Sequence, residues 1–306
     1  MLRYAVAVSF FLLPYAVWAQ NFDELKKLYE YDRTAPLKLE QKEAPSHGAY
    51  KLYSIKYSLP KVGTVSGYLV SPKGPGRKPA IVWMHSGGAL QFMGDAVLMA
   101  RAGAISLLIG QSEGAPNGTP EQARDQLIYD VIALRRGADI LETRPAVDPE
   151  RLALVGHSYG AMMGAVAASI DPRFRAAVFE AGLLGMSIHI ATSPGAWAVN
   201  VRKELGSGLP RFVEVVSVAD AKHYIGHAPA IPKLFQSAWY DPGVPHSDAQ
   251  DFFQAATEPK QLKWYDTGHD IDDIGAMADR ARFLAQALKL PDMDRVLNRQ
   301  IGGKQP

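Results

Sequence analysis

A chain of 306 residues, 47% of them hydrophobic, is long enough for one large α/β domain or two small ones and can bury a sizeable core. Lys and Arg number 33 against 31 Asp and Glu, and a net charge of +2 excludes the strong electrostatic attraction on which nucleic-acid and membrane-surface binders rely. The absence of cysteine excludes disulfides, thiolate metal sites and a lipid-bearing N-terminal cysteine.

Residues 1–19 differ from the rest. Arg3 is their only charge, Tyr4 to Tyr15 is apolar apart from Ser9, and Val17-Trp18-Ala19 places small residues three and one before a cut ahead of Gln20. This is the pattern of a secretory signal peptide, and it predicts a secreted or periplasmic bacterial protein. An uncleaved anchor is the alternative, but the apolar run is shorter than the roughly 20 residues a spanning helix needs. After removal of the signal no stable membrane insertion is expected.

The segment 20–49 reads as an N-terminal extension. Asn21 to Tyr31 is helix-prone, and Asp32 to Pro45 is extended and broken by Pro36 and Pro45. Tyr50 to Tyr57 alternates as a half-buried strand, Pro60-Lys61-Val62-Gly63 turns the chain, and Thr64 to Val70 is the hairpin partner. Ala80 to Met84 and Ala104 to Ile109 are continuous apolar strands, as parallel strands covered on both faces must be. Ala96 to Ala102 and Glu121 to Leu141 are the helices around them. Leu152 to Val155, Ala176 to Glu180, Lys233 to Trp239 and Leu262 to Tyr265 are the later strands. Ser247 to Ala256 and Gly275 to Leu288 are the last helices. Residues 185–229 interrupt the rhythm and predict a cap over the site. The expected architecture is one mixed, mostly parallel sheet with helices on both faces, spanning 50–306 with the cap at 185–229.

The strand at Leu152 to Val155 runs into Gly156-His157-Ser158-Tyr159-Gly160 and then into the small-residue helix Ala161 to Ile170. Strand, sharp turn and helix give G-x-S-x-G the context of a nucleophile elbow. A Cβ at Gly156 or Gly160 would clash in such a turn. Ser158 is therefore the candidate nucleophile, and it needs a base to take its proton. Of eight histidines, only His246 and His269 follow the acid candidate Asp241 along the chain. His246 stands at a helix start, whereas His269 sits in Gly268-His269-Asp270 just past the last strand, so His269 is the candidate base. Asp241, in the turn Asp241-Pro242-Gly243-Val244-Pro245, is the candidate acid, with Glu180 as its rival.

The oxyanion hole calls for two backbone N–H groups. Tyr159 supplies one. The other is expected from Ser86 or Gly87, with Gly88 as the alternative, in the loop after Met84. Glu180, Trp197 and Tyr224 are the candidate substrate contacts. His223 and His227 have metal-ligand spacing, but no carboxylate accompanies them and Gly226 and Pro229 oppose a sustained helix, so no metal is expected. No cofactor fingerprint occurs. Asn117-Gly118-Thr119 is a glycosylation sequon, without consequence in a bacterium.

These motifs resemble the nucleophile, acid and histidine motifs of the α/β-hydrolase superfamily, and more nearly those of dienelactone-hydrolase-like and acetyl-xylan-esterase-like serine hydrolases. The resemblance covers Tyr50 to Leu290. It implies an α/β-hydrolase fold and an acyl-enzyme mechanism on a small-molecule or polymer-attached ester. Two positions depart from it. True dienelactone hydrolases use a cysteine where this chain has Ser158, and the oxyanion loop reads His85-Ser86-Gly87-Gly88 where many esterases have His-Gly-Gly-Gly. The superfamily also places its acid after either of two strands, which keeps Glu180 in play. A serine peptidase or amidase of the prolyl-oligopeptidase kind is the second reading. Those enzymes carry a large extra N-terminal domain, which favours the esterase. A non-catalytic binding protein on this fold is the third, and a complete Ser/His/Asp set speaks against it.

Overall fold

Side chains alternate across a strand, so each central strand can feed two separate cores. Strand β4 (Lys78–His85) does so, with Ala80, Val82 and Met84 in one buried cluster and Ile81 and Trp83 in another. The same division holds in β6 (Val147–His157), where Leu152 and Leu154 face one way and Ala153 and Val155 the other. The continuous apolar runs are thus strands sandwiched between helices.

The computed structural model describes residues 21–301 apart from 47, 61–62 and 115–117. The signal-peptide segment with its cut before Gln20, the turn residues Lys61 and Val62, and Asn117 of the sequon lie outside the described residues.

Helix α1 (Phe22–Lys27) is followed by β1 (Glu40–Ala44), β2 (Tyr50–Ser58) and β3 (Thr64–Pro72). After β4 come α2 (Met93–Arg101), β5 (Ile105–Ile109) and α3 (Pro120–Glu142). Helix α4 (Tyr159–Ile170) and strand β7 (Phe174–Glu180) follow β6. Helices α5 (Met186–Thr192), α6 (Ala196–Leu205) and α7 (Leu209–Val216) fill the interruption. The chain closes with β8 (Lys233–Ala238), α8 (His246–Ala255), β9 (Lys260–Tyr265), α9 (Ile274–Leu288) and α10 (Met293–Ile301).

The nine strands form one sheet in the order β1-β2-β3-β5-β4-β6-β7-β8-β9. Pairings are antiparallel from β1 through β3 to β5 and parallel from β5 to β9. Helices α1, α3, α4 and α8 bury their apolar residues on one face, and α2, α9 and α10 on the other. The chain reverses its direction of travel across the sheet at β4, which lies between β5 and β6. Ligands bind at such switch points, beyond the carboxyl ends of the strands. Here those ends are His85 of β4 and His157 of β6, paired in register.

The segment read as an extension takes part in the fold. Strand β1 adds an antiparallel edge to β2, and Leu25 and Tyr29 enter the core. Arg33 pairs with Asp139 and Glu142, while the fully buried Arg136 donates to the carbonyls of Arg33 and Ala35. Helix α3 starts on a capping box in which Thr119 and Gln122 exchange side-chain and backbone hydrogen bonds, with Pro120 in the first turn. Among the described residues, no helix is long and apolar enough to cross a membrane.

Candidate active site

The elbow between β6 and α4 is set by two close approaches. A Cβ on Gly156 would overlap the Gly160 carbonyl, and one on Gly160 would overlap the carbonyl of Met84 in β4. Ser158 between them holds φ 54° and ψ −113°, a conformation costly for a residue with a side chain. The strain lifts the hydroxyl out of the sheet at the N-terminus of α4, where the helix dipole favours developing negative charge. The Ser158 N–H is tied to the Glu180 carbonyl at 2.7 Å, anchoring the turn to β7.

The structure brings the three expected residues together. His269 Nε2 lies 2.9 Å from Ser158 Oγ, and His269 Nδ1 lies 2.8 Å from Asp241 Oδ2. The other oxygen of Asp241 accepts the backbone N–H groups of Gly243 at 2.7 Å and Val244 at 2.9 Å. The Pro242-Gly243 turn therefore grips one edge of the carboxylate and turns the other towards the ring. Burial opposes both charges. In Asp241 the hydrogen bond and charge of His269, with the two backbone donors, outweigh burial and lower its pKa. In His269 the Asp241 hydrogen bond and charge, helped by Asp270, outweigh burial and raise its pKa above 6.5.

Two N–H groups beside the elbow have no hydrogen-bond partner among the described residues: that of Tyr159, which follows the serine at the start of α4, and that of Ser86 after β4. Gly87 departs from expectation, because it donates its N–H to His85 Nδ1 at 2.9 Å, and the Gly88 N–H goes to the His85 carbonyl. The expected loop donor narrows to Ser86. The Tyr159 ring packs inward, and its hydroxyl donates to Asp130 at 2.7 Å.

Two of the three expected substrate contacts are corrected. Glu180 is a buried partner of Arg280 at 2.9 Å rather than a surface for substrate, and Arg280 also binds Asp95 at 2.7 Å. Burial pushes the Glu180 carboxyl up against the pull of Arg280. The acid position at His269 Nδ1 is held by Asp241, which removes Glu180 from that role. Tyr224 is fully buried, with its ring edge-on to Tyr29 and its hydroxyl donating to the Val218 carbonyl at 2.7 Å. Aromatic bulk in an insertion reads as a binding surface, but here it anchors the insertion to the core. Trp197 is 52% exposed on α6 and stacks on His189. His246 is exposed and donates its Nε2–H to the Trp239 carbonyl at 2.9 Å rather than meeting Ser158. Residues 221–223 and 225–227 form two separate 3-10 turns, and the His227 ring stacks on Phe22.

The predicted cap is helical and packed. Gly195, just before α6, lies against Pro242 and Gly243 of the acid turn. Arg202 donates to the Ile190 and Ser193 carbonyls, and Asp220 accepts from Ser187. His189, which sequence reasoning did not single out, belongs to α5 and is half-buried, stacked on Trp197 of α6. Its Nδ1 has no hydrogen-bond partner among the described residues, and its pKa is lowered by burial, with Asp241 and His269 close enough to act on it. His157, the variable residue of the elbow, was also missed. Its signal was its position inside the motif.

A family model described as the prolyl oligopeptidase family matches residues 121–271, from α3 through the histidine loop. Among solved structures, the fold is similar to acetyl xylan esterase 1 from Thermoanaerobacterium sp. JW/SL YS485, with a TM-score of 0.74 and 20% identity over 88% of this chain and 94% of that one. An acetyl xylan esterase from Paenibacillus sp. R4 gives a TM-score of 0.72 and 20% identity over 87% of this chain and 92% of that one. The acylaminoacyl peptidase of Pyrococcus horikoshii gives 0.59 and 16% identity over 87% of this chain but only 45% of its own. No curated protein matches the sequence. With a nine-stranded, mostly parallel sheet and the Ser158–His269–Asp241 arrangement at its switch point, the chain has the α/β-hydrolase fold and carries the side-chain set of a serine hydrolase.

Proposed function

We propose that the protein is a carboxylic ester hydrolase working through an acyl-enzyme. The observation that carries this reading is the relay of Ser158, His269 and Asp241, joined at 2.9 and 2.8 Å. Ser158 Oγ attacks the ester carbonyl while His269 Nε2 takes its proton. Asp241 keeps the other proton on Nδ1 and stabilises the imidazolium. The oxyanion of the tetrahedral adduct is received by the N–H groups of Tyr159 and Ser86. His269 then returns the proton to the departing alkoxide, which leaves as the alcohol. Water repeats the sequence on the acyl-enzyme and frees the acid and Ser158. These side chains move every proton in the cycle, so the cycle calls for no cofactor.

Ester rather than peptide substrate is supported by coverage. The acetyl xylan esterases are matched over 94% and 92% of their chains, the acylaminoacyl peptidase over 45% of its own. The family model favours the second reading, a serine peptidase or amidase. Parallel assays of p-nitrophenyl acetate and a p-nitroanilide peptide separate them. Turnover of the ester with no release of the anilide is expected, and the reverse preference would replace the esterase by the peptidase.

The leader-like residues 1–19 make export after cleavage before Gln20 the proposed location. Intact mass of the mature material tests this, and retention of Met1 would withdraw it.

A further inference from the structure

The His157 ring is wholly buried, and its Nε2 lies 2.7 Å from the backbone carbonyl of His269. A carbonyl only accepts, so the proton of this contact belongs to Nε2 and the ring's Nδ1 is left as an acceptor. The group facing Nδ1 is the Ser86 hydroxyl at 3.2 Å, which can donate. His85 stacks on the same ring at 3.9 Å between centroids and 4° between planes. Two cations could not share that stack. Burial lowers the pKa of His85 to about 4 and of His157 to about 3, and each ring's contacts with neighbouring histidines add to the effect. Both rings are neutral at neutral pH.

Among the described residues no other donor reaches the His269 carbonyl. The loop that carries it is short, and Ile271, two residues on, is held at φ 47°. Such a backbone keeps its shape only while neighbours fix it. Resting on the catalytic reading above, we propose that His157 is a positioning residue: its Nε2–H holds the peptide of His269 in register with Ser158, while its Nδ1 accepts from Ser86 and so ties the oxyanion loop to the base. The N–H of Ser86 faces the developing oxyanion and its hydroxyl faces His157. One neutral imidazole therefore sets the spacing between the group that removes the proton and the group that receives the charge. A displacement of about 1 Å at a base costs roughly 10²-fold in rate.

The test compares His157→Phe, which keeps a flat ring over His85 without a donor, with His157→Gln, whose amide N–H can reach the same carbonyl. Both are assayed on p-nitrophenyl acetate at equal folded fraction. The expected result for His157→Phe is a kcat lower by about 30–100-fold with KM within about threefold, and for His157→Gln recovery to within about tenfold of wild type. A purely structural role would lower the folded fraction without this split or rescue. A His157→Phe kcat within about threefold of wild type, or His157→Gln as impaired as His157→Phe, overturns the proposal. Should His157→Phe not fold, histidine nitrogen NMR of the wild type decides: a neutral ring protonated at Nε2 supports it, and protonation at Nδ1 overturns it. Labelling of the wild type by a fluorophosphonate separates the two levels. No labelling and no ester turnover remove the hydrolase reading, whereas a labelled wild type with an unaffected His157→Phe removes only the positioning role.

Discussion

Asp241→Asn isolates what the acid contributes, because the surroundings dictate how the new amide must lie. One oxygen of Asp241 accepts two backbone N–H groups, from Gly243 and Val244, and the other faces His269 Nδ1. An asparagine can satisfy both backbone donors only with its carbonyl oxygen at the first position. The opposite flip would set an NH2 group against two N–H donors and strand them, at about 1–3 kcal/mol each. The amide NH2 is therefore directed at His269 Nδ1, which must become an acceptor. The histidine proton moves to Nε2, and that nitrogen then offers Ser158 a donor where catalysis needs a lone pair. The expected loss in kcat is roughly 10³–10⁴-fold, or about 4–5.5 kcal/mol of barrier. The assay is p-nitrophenyl acetate turnover at equal folded fraction, with KM followed alongside. A kcat within about tenfold of wild type would refute the role given to Asp241.

The remaining predictions concern charge and packing. Because His269 acts as a base only when neutral and its pKa is raised above 6.5, the rate should fall on acidification with an apparent pKa above that value; a rate flat from about pH 5 to 8, with chemistry limiting, contradicts it. His85 and His157 have folded pKa values lowered to about 4 and about 3 from 6.5, so their contribution to stability is complete above pH 6.5 and declines as pH falls towards those values. The slope is about 1.4 kcal/mol per pH unit for each ring, partly offset by His269, whose raised pKa acts in the opposite sense. Urea midpoints should fall between about pH 7 and 5, less steeply in His157→Gln, and identical slopes would count against the buried neutral pair. Glu180→Gln should lower the melting temperature by loosening Arg280, with kcat unchanged at equal folded fraction; a deep kcat defect would return Glu180 to the acid role. Gly156→Ala should cost about 3 kcal/mol or more, read from denaturant unfolding, because the added Cβ overlaps the Gly160 carbonyl; a near-neutral effect would deny the tight elbow.

The parallel strands and the elbow were legible because burial on both faces leaves continuous apolar runs, and because the turn can be built only with glycines at 156 and 160. Ser158, His269 and Asp241 were legible from chain order and from their places at strand ends. Strand β1 was not, since Glu40–Ala44 lies on the exposed edge and carries no apolar alternation. Tyr224 and Glu180 misled because their partners, Tyr29 and Arg280, are remote in sequence. The roles of Ser86, Gly87 and His157 depend on which hydrogen bonds are already taken, and that is decided by the register of β4 on β6.

The central claim is that Ser158 is an activated nucleophile. Intact-mass and peptide mass spectrometry after brief exposure to a fluorophosphonate tests it most directly. The account predicts one adduct, located on Ser158, formed quickly in the wild type, slowly in Asp241→Asn and not at all in Ser158→Ala. An unmodified wild type, or an adduct that persists in Ser158→Ala at full activity, would contradict it.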